Sequence, residues 1–525
     1  MFDKSPLKIS GSYDEVVKAL AQSERGSYGD LSYMPVFRAS ALFYAYVDEV
    51  TTTRVAFLNY WREKNNNPNV GILVTVRDQN GIKRGRRFER LSAMTGQFDV
   101  RDFLGPNEIF RGSIELEAFS SEDLKFQFPG LSVFYQSARG VSYVHTNQRV
   151  YNSVEDRDRG SNLNPWQTGF EINTEKYDPF VFVVNGPKYY PGGFVDLLVI
   201  NFAGSEMSCQ IPFQALPAYG AYDFRLRTVP DIVTFLGRQP GLCKLNIELE
   251  DIHLRLGVGN ALKDHSWLSI THSYFDATEH QDYFDTPRLL ADIYAAFIPF
   301  ILIDGIDVDL VFYPIYAKSE FTLSFQGFDD AGNEVFYIPV CNYRSPENGM
   351  LKINVRQLLR QADIADISGL YVLQIAAENK LPARITYGLN YYLPGNLGTN
   401  ISASVYIAKS WGLGSRSWRW CPVVAMAGAR NIVMVCAFSK NKNERLVSPV
   451  TLAIYDRQGI IAKMSFELRG NTGVSVVIEE LFEKNSYTPI LNDILWCVVE
   501  SNHACLDVNQ ICVSADGFIG GDHGF

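Results

Sequence analysis

Seven histidines in 525 residues are few enough to weigh one at a time. His145, in SYVHTNQ, and His272, in SITHSYF, stand at matching places in two similar stretches, each ending a strand-like run of alternating apolar residues. An imidazole there can act as a general base or bind a metal; the competing reading is a hydrogen-bonded histidine with a structural role only. The densest polar run follows at once: HSYFDATEHQDYFD carries His272, Asp276, Glu279, His280, Asp282 and Asp285. On a helix, His272, Asp276 and His280 would share one face and offer two imidazoles and a carboxylate, a set that zinc or manganese accepts. The local signals argue otherwise. His272 ends a strand-like run and the first helix start, Thr286 followed by Pro287, comes after the cluster, so a solvated acidic linker is favoured over a metal site. At the other end of the chain, ADGFIGGDHGF sets Asp522 beside His523 in a Gly-rich tail. Phe518, Ile519 and Phe525 make this tail too apolar for a solvated end, and it is expected to dock.

Other residue groups suggest binding rather than bond-making. RDQNGIKRGRRFER, residues 77–90, holds six basic residues against two acidic ones. Lys83, Arg84, Arg86 and Arg87 around a hairpin tip can grip an anionic partner, or they form a charged edge that blocks strand-to-strand aggregation. The connector SWGLGSRSWRW gathers Trp411, Trp418 and Trp420 with Arg416 and Arg419, and Trp166 occupies a comparable connector earlier. Indole faces stack on sugar rings, which makes this the place to look for carbohydrate contact; the alternative is that Trp418 and Trp420 plug a junction between domains. IELE occurs at residues 114–117 and again at 247–250, and paired carboxylates can serve glycoside hydrolysis, although alternation in a half-exposed strand gives the same spelling. The chain has no phosphate-binding Gly-x-x-x-x-Gly-Lys loop, no Gly-x-Ser-x-Gly elbow, no His-Glu-x-x-His and no dinucleotide fingerprint. No cofactor is expected.

The elements that must position these residues are strands. With 34 Phe, 28 Tyr and 7 Trp against 40 Gly and 23 Pro, the chain is rich in residues that fill pleated surfaces and in those that punctuate turns. A length of 525 exceeds what one core can hold, so several domains are expected. The net charge, 48 minus 58 or −10, disfavours a general nucleic-acid binder. No apolar run suits a signal peptide or a membrane span, and none of the eight cysteines forms a Cys-x-x-Cys pair; a cytoplasmic, reducing location is expected, with export by a non-Sec route left open.

A repeat organises the rest. Asp-x-x-Gly closes a turn at Gly81, Gly332 and Gly459, 251 and 127 residues apart, so a fourth copy is expected near position 205, where Ala203-Gly204-Ser205 has lost the Asp. Downstream, Gly96, Gly220, Gly349 and Gly473 each open an alternating strand and stand 124, 129 and 124 residues apart. Three of the four copies end that strand in what reads as one helical turn. Each unit is read as ending in an aromatic strand: GVSYVHTNQRVY, SWLSITHSYFD, ARITYGLNYYLP and NQICVSADGF. On this alignment the third and fourth copies lack the histidine of the first two.

The fold expected is all-β: four tandem antiparallel β-sandwich domains, Ig-like or jelly-roll-like, each of about 125 residues with short helical turns. An N-terminal arm, 1–34, precedes repeats at 35–163, 164–284, 285–414 and 415–525, the last carrying the docked tail. Such an array suits a non-enzymatic binding or assembly protein that recognises a saccharide or a protein surface, without membrane insertion and with homo-oligomerisation open. The alternatives are an enzyme of carbohydrate metabolism with a His/Asp/Glu pocket near the closing strands of repeats 1 and 2, and a structural component of a phage particle or surface layer.

Overall fold

The computed structural model describes residues 26–28, 31–33, 37–125, 129–145, 148–150, 168–271, 283, 294–313, 315, 318–345, 350–365, 369–382, 385–404, 416–438, 447–502 and 506–525. Alternating apolar residues form strands throughout, and eight four-stranded antiparallel sheets result. The fold is all-β, as the composition implies. The connectivity repeats four times. In the last copy the eight strands run Ser417–Val424, Arg430–Ala437, Val447–Tyr455, Ile460–Arg469, Thr472–Val477, Ile494–Ser501, Asp507–Val513 and Ile519–His523. The first, sixth, third and fourth strands form one sheet in that order, and the fifth, second, seventh and eighth form the other. The units beginning at Phe37, Thr168 and Tyr294 have the same two orders, the two-residue strand Ile252–His253 being an addition that pairs with Arg149–Val150. The expected boundaries near Asn164, Asp285 and Ser415 lie outside the described residues.

Between the two sheets of each unit the inward side chains form the core. In the fourth unit Cys421, Val433, Leu452, Val476, Leu495 and Val508 come from six strands and both sheets. The fifth strand is followed by a helical turn in all four units: a 3-10 turn at Val100–Phe103 and α-helices at Pro230–Leu236, Val355–Gln361 and Ile478–Lys484. The first is capped by Asp99, which accepts from the Arg101 N–H at 2.9 Å, and the third by Asn354, which accepts from Gln357 at 2.8 Å. The second starts on Pro230, whose fixed φ suits a first helical position.

The Asp-x-x-Gly tips join third to fourth strands, and their carboxylates bind the turn backbone. Asp78 accepts from Asn80 and Ile82, Asp329 from Ala331 and Asn333, and Asp456 from Gln458 and Gly459. In the second unit Asn201 does the same, accepting from Ser205 at 2.9 Å, so the motif survives there as Asn-x-x-Gly with Gly204 at φ +80°.

The four units close into a ring, in which each tip docks on the start of the fifth strand of the next unit. The Gln79 carbonyl accepts from Ala221 at 3.0 Å, and Arg457 in the last tip accepts from Met94 of the first unit at 3.1 Å. Phe202 packs against a cluster that includes Met350, and a Cβ at Gly332 would collide with the Gly470 carbonyl. Sheet faces follow the same cycle. The first and sixth strands of unit 1 meet the second and fifth of unit 2, and the sixth strand of unit 4 meets the second and fifth of unit 1. Ile200 and Leu242 of unit 2 share a cluster with Val311 and Tyr313 of unit 3. This is head-to-tail association that closes after four copies.

The eighth strands Gly140–Val144, Leu268–Thr271, Thr399–Ser404 and Ile519–His523 meet in the middle, each against two others. Ser142 Oγ accepts from Ile270 N at 2.7 Å, Ser269 donates to the Gly398 carbonyl at 2.6 Å, and Thr399 donates to the Gly521 carbonyl at 3.1 Å. Backbones approach so closely that a Cβ at Gly520 would strike the Val141 carbonyl. This geometry corrects the alignment of closing strands. ARITYGLNYYLP and NQICVSADGF are seventh strands, and the true last strands of units 3 and 4 are TNISAS and IGGDH. His523 therefore ends an eighth strand, the place after which His145 follows in unit 1. Among the described residues no helix is long and apolar enough to cross a membrane.

Candidate functional site

Units 2 and 3 enclose a cavity of about 400 Å³. Its floor is the outer face of one sheet of unit 3, where strand register places Asp309, Asn390 and Asn400 in one row, continued beyond the cavity by Asn354 on the fourth strand of the row. Side chains of a row project to the same side, so four polar groups line up where apolar packing would otherwise be expected. Asn354 donates to Asp309 Oδ1 at 2.7 Å, the Tyr392 hydroxyl donates to the same oxygen at 3.1 Å, and Asn400 donates to Asn390.

Lys352, one row over on the fifth strand, puts its ammonium 2.9 Å from Glu171 Oε1 of unit 2 and 3.0 Å from Asp309 Oδ2. Burial opposes the ammonium, yet Glu171 and Asp309 outweigh it and hold its pKa above the ordinary lysine value. Asn390 donates to Glu171 Oε2 at 2.7 Å, so both carboxylate oxygens of Glu171 are engaged. Unit 2 supplies the opposite wall: Asn260, Ser269, Thr271 and Tyr177. Thr271 donates to Asn400 at 3.1 Å and Asn260 Nδ2 to the Glu171 carbonyl at 3.0 Å, while Asn260 Oδ1, shut off from solvent, accepts no hydrogen bond. Lys176 and Arg238 stand exposed at the mouth. Burial first, and Asp309 second, raise the Tyr392 phenol well above its ordinary value, so it stays a donor.

The histidine and tail residues singled out from the sequence meet at another junction. His145 of unit 1 lies against Asp522 and His523 of unit 4, with His145 Nδ1 2.7 Å and its backbone N–H 2.9 Å from Asp522 Oδ2. The two imidazoles meet edge to face with centroids 4.5 Å apart. Burial, and next His145, lower the His523 pKa and favour the neutral ring. His272, Asp276 and His280 lie outside the described residues, as do Trp166 and Trp411.

The tryptophan connector divides. Trp420 is buried, stacked on Tyr60 at 5.2 Å and on Phe525 at 5.1 Å, in the contact between units 4 and 1. Trp418 is half-buried beside it, and Lys64 Nζ stands 5.4 Å from one ring and 4.8 Å from the other. Arg416 pairs with Glu500 at 2.8 Å, and Arg419 lies near enough to Lys64 and His523 to disfavour their charged forms. Lys83, Arg84, Arg86 and Arg87 are on the fourth strand of unit 1, Lys83–Arg90, an edge of its sheet. Arg84 pairs with Glu108 at 2.9 Å, Arg86 donates to Thr75 at 3.0 Å, and Arg87 pairs with Glu89 at 3.2 Å. Of the IELE acids, Glu115 is buried against Arg77 at 2.8 Å and Glu117 is bound by Arg38 at 2.8 Å.

Sequence reasoning missed the cavity residues. The row Asp309, Asn354, Asn390 and Asn400 is spread over ninety residues, and only sheet register gathers it. The sequence offered no trace of it: Asp309 in DVDLVF alternates with the core residues Val308 and Leu310, so it reads as an ordinary polar residue on the outward face of a strand. Comparison with protein-family models and with curated proteins gave no match.

Proposed function

We propose that the chain is a binding protein that takes a saccharide into the cavity between units 2 and 3. The observation that supports this reading is the row of amide and hydroxyl groups on the cavity floor facing Asn260, around an ion-paired Glu171–Lys352–Asp309 triad. Sugar hydroxyls both donate and accept, and amides answer both roles at fixed geometry. A volume of about 400 Å³ holds a ligand of a few rings at most. Binding is favoured over bond cleavage because each charged group of the triad is already committed to a partner. Lys176 and Arg238 at the mouth would add affinity for an acidic sugar. Calorimetry and glycan arrays on the full chain test the reading. Asn260→Ala should weaken glycan binding about tenfold, and Arg238→Ala should weaken acidic glycans selectively. A folded wild-type chain silent across neutral and acidic glycans would overturn it.

A further inference from the structure

We propose that a divalent transition-metal ion binds where the first and fourth units close the ring, held by His145, Asp522 and His523. Each residue offers one ligand atom, and the three atoms lie within 4.8 Å of one another. Two imidazole nitrogens and one carboxylate oxygen form a donor set that zinc, cobalt or ferrous iron accepts, and three protein ligands leave the remaining coordination position open.

The residues are held in place from both sides of the junction. Asp522 sits in the eighth strand opposite Gln510, and the glycines before it let that strand lie against residues 140–144. Asp522 Oδ2 receives the His145 backbone N–H at 2.9 Å, which fixes the carboxylate between the two units. The His523 Nδ1 lies 3.1 Å from the Gly524 carbonyl, the kind of outer contact that sets the tautomer and aim of a metal-bound imidazole. Phe525 packs edge to face on the His145 ring at 4.7 Å and dries one side of the site. Arg419 is a cation close to the site, and the Asp522 carboxylate, 2.7 Å from His145 Nδ1, offsets its charge.

Metal–nitrogen bonds of about 2.0–2.1 Å set ligand atoms roughly 3.3 Å apart around a tetrahedral ion, so uptake draws the three side chains inward by up to about 1.5 Å. Because the ligands come from the first and last units, the ion would act as a clasp across the ring closure. The site shares no residue with the cavity, and failure of either reading leaves the other standing.

The test uses the full chain stripped with a chelator and titrated with cobalt and then zinc. One equivalent of cobalt per chain with visible d–d absorption, displaced by zinc, is expected, together with a raised melting temperature. His145→Gln and His523→Gln should each weaken uptake at least tenfold, and Asp522→Asn by about tenfold or more. His145 and His523 are both partly exposed, so their Gln variants carry the test should Asp522→Asn fail to fold. A folded wild-type chain that takes up neither metal, or variants that titrate as wild type, would overturn the assignment.

Discussion

Replacing Lys352 by Met isolates the charge triad at the junction of units 2 and 3. The ammonium lies 2.9 Å from Glu171 and 3.0 Å from Asp309, and their side chains are 30%, 17% and 7% exposed. Loss of one partner from a buried pair costs about 3–5 kcal/mol because a charge is left uncompensated; the partial exposure here brings this to roughly 2–4 kcal/mol. Glu171→Gln in the same background removes one of the stranded charges, so the double variant should be more stable than the sum of single losses by roughly 1–3 kcal/mol. Urea unfolding followed by tryptophan fluorescence measures both quantities by linear extrapolation, once a single transition is verified with a second probe. The pH dependence supplies an independent check. The folded Lys352 pKa is raised, so its stabilisation is present in full below the unfolded lysine value of about 10.4 and is lost as pH climbs above it toward the folded value. In that window the native state holds one more proton than the unfolded chain, and stability falls by about 1.4 kcal/mol per pH unit from this group. Lys352→Met should lack that component. Equal alkaline slopes in the two proteins, or a coupling below about 0.5 kcal/mol, would refute the reasoning.

Two further comparisons probe the ring. Gly204 and Gly332 share φ +80°, but a Cβ at Gly204 meets nothing within 4 Å, whereas at Gly332 it meets the next unit. Gly204→Ala should therefore cost about 1 kcal/mol of backbone strain and Gly332→Ala about 3 kcal/mol, as read from urea midpoints; equal costs would mean that the third tip does not dock. Trp420→Ala should cost about 3–5 kcal/mol in thermal or urea unfolding because it empties a stack shared by units 4 and 1, whereas Trp418→Ala, half-buried, should cost under about 1 kcal/mol; equal losses would contradict the placement of the two rings.

The repeat was legible because its marks are local. A tight tip needs a residue that accepts φ > 0 and a side chain that binds the turn backbone, and this chemistry leaves Asp and Gly at fixed spacing. Asn201 escaped notice because an amide oxygen serves the same bond as a carboxylate. The closing strands were misaligned for a different reason. In units 3 and 4 the seventh strand is as apolar and alternating as the eighth, and nothing local distinguishes a strand paired on both sides from the one that reaches the ring's middle. That slip hid that His523 ends an eighth strand, one place before the position that His145 takes in unit 1.

Alternation, turn chemistry and the period near 125 residues were enough to specify an all-β chain built from four similar units, because strand and turn preferences act over a few neighbouring residues. Closure of the ring was decided only in three dimensions. Tip docking, the glycine-lined meeting of eighth strands and the gathering of Glu171 with Asp309 and Lys352 all join residues far apart in the chain, and their register depends on how whole sheets stack. Both candidate sites lie at such junctions, between surfaces whose pairing no short stretch of sequence encodes.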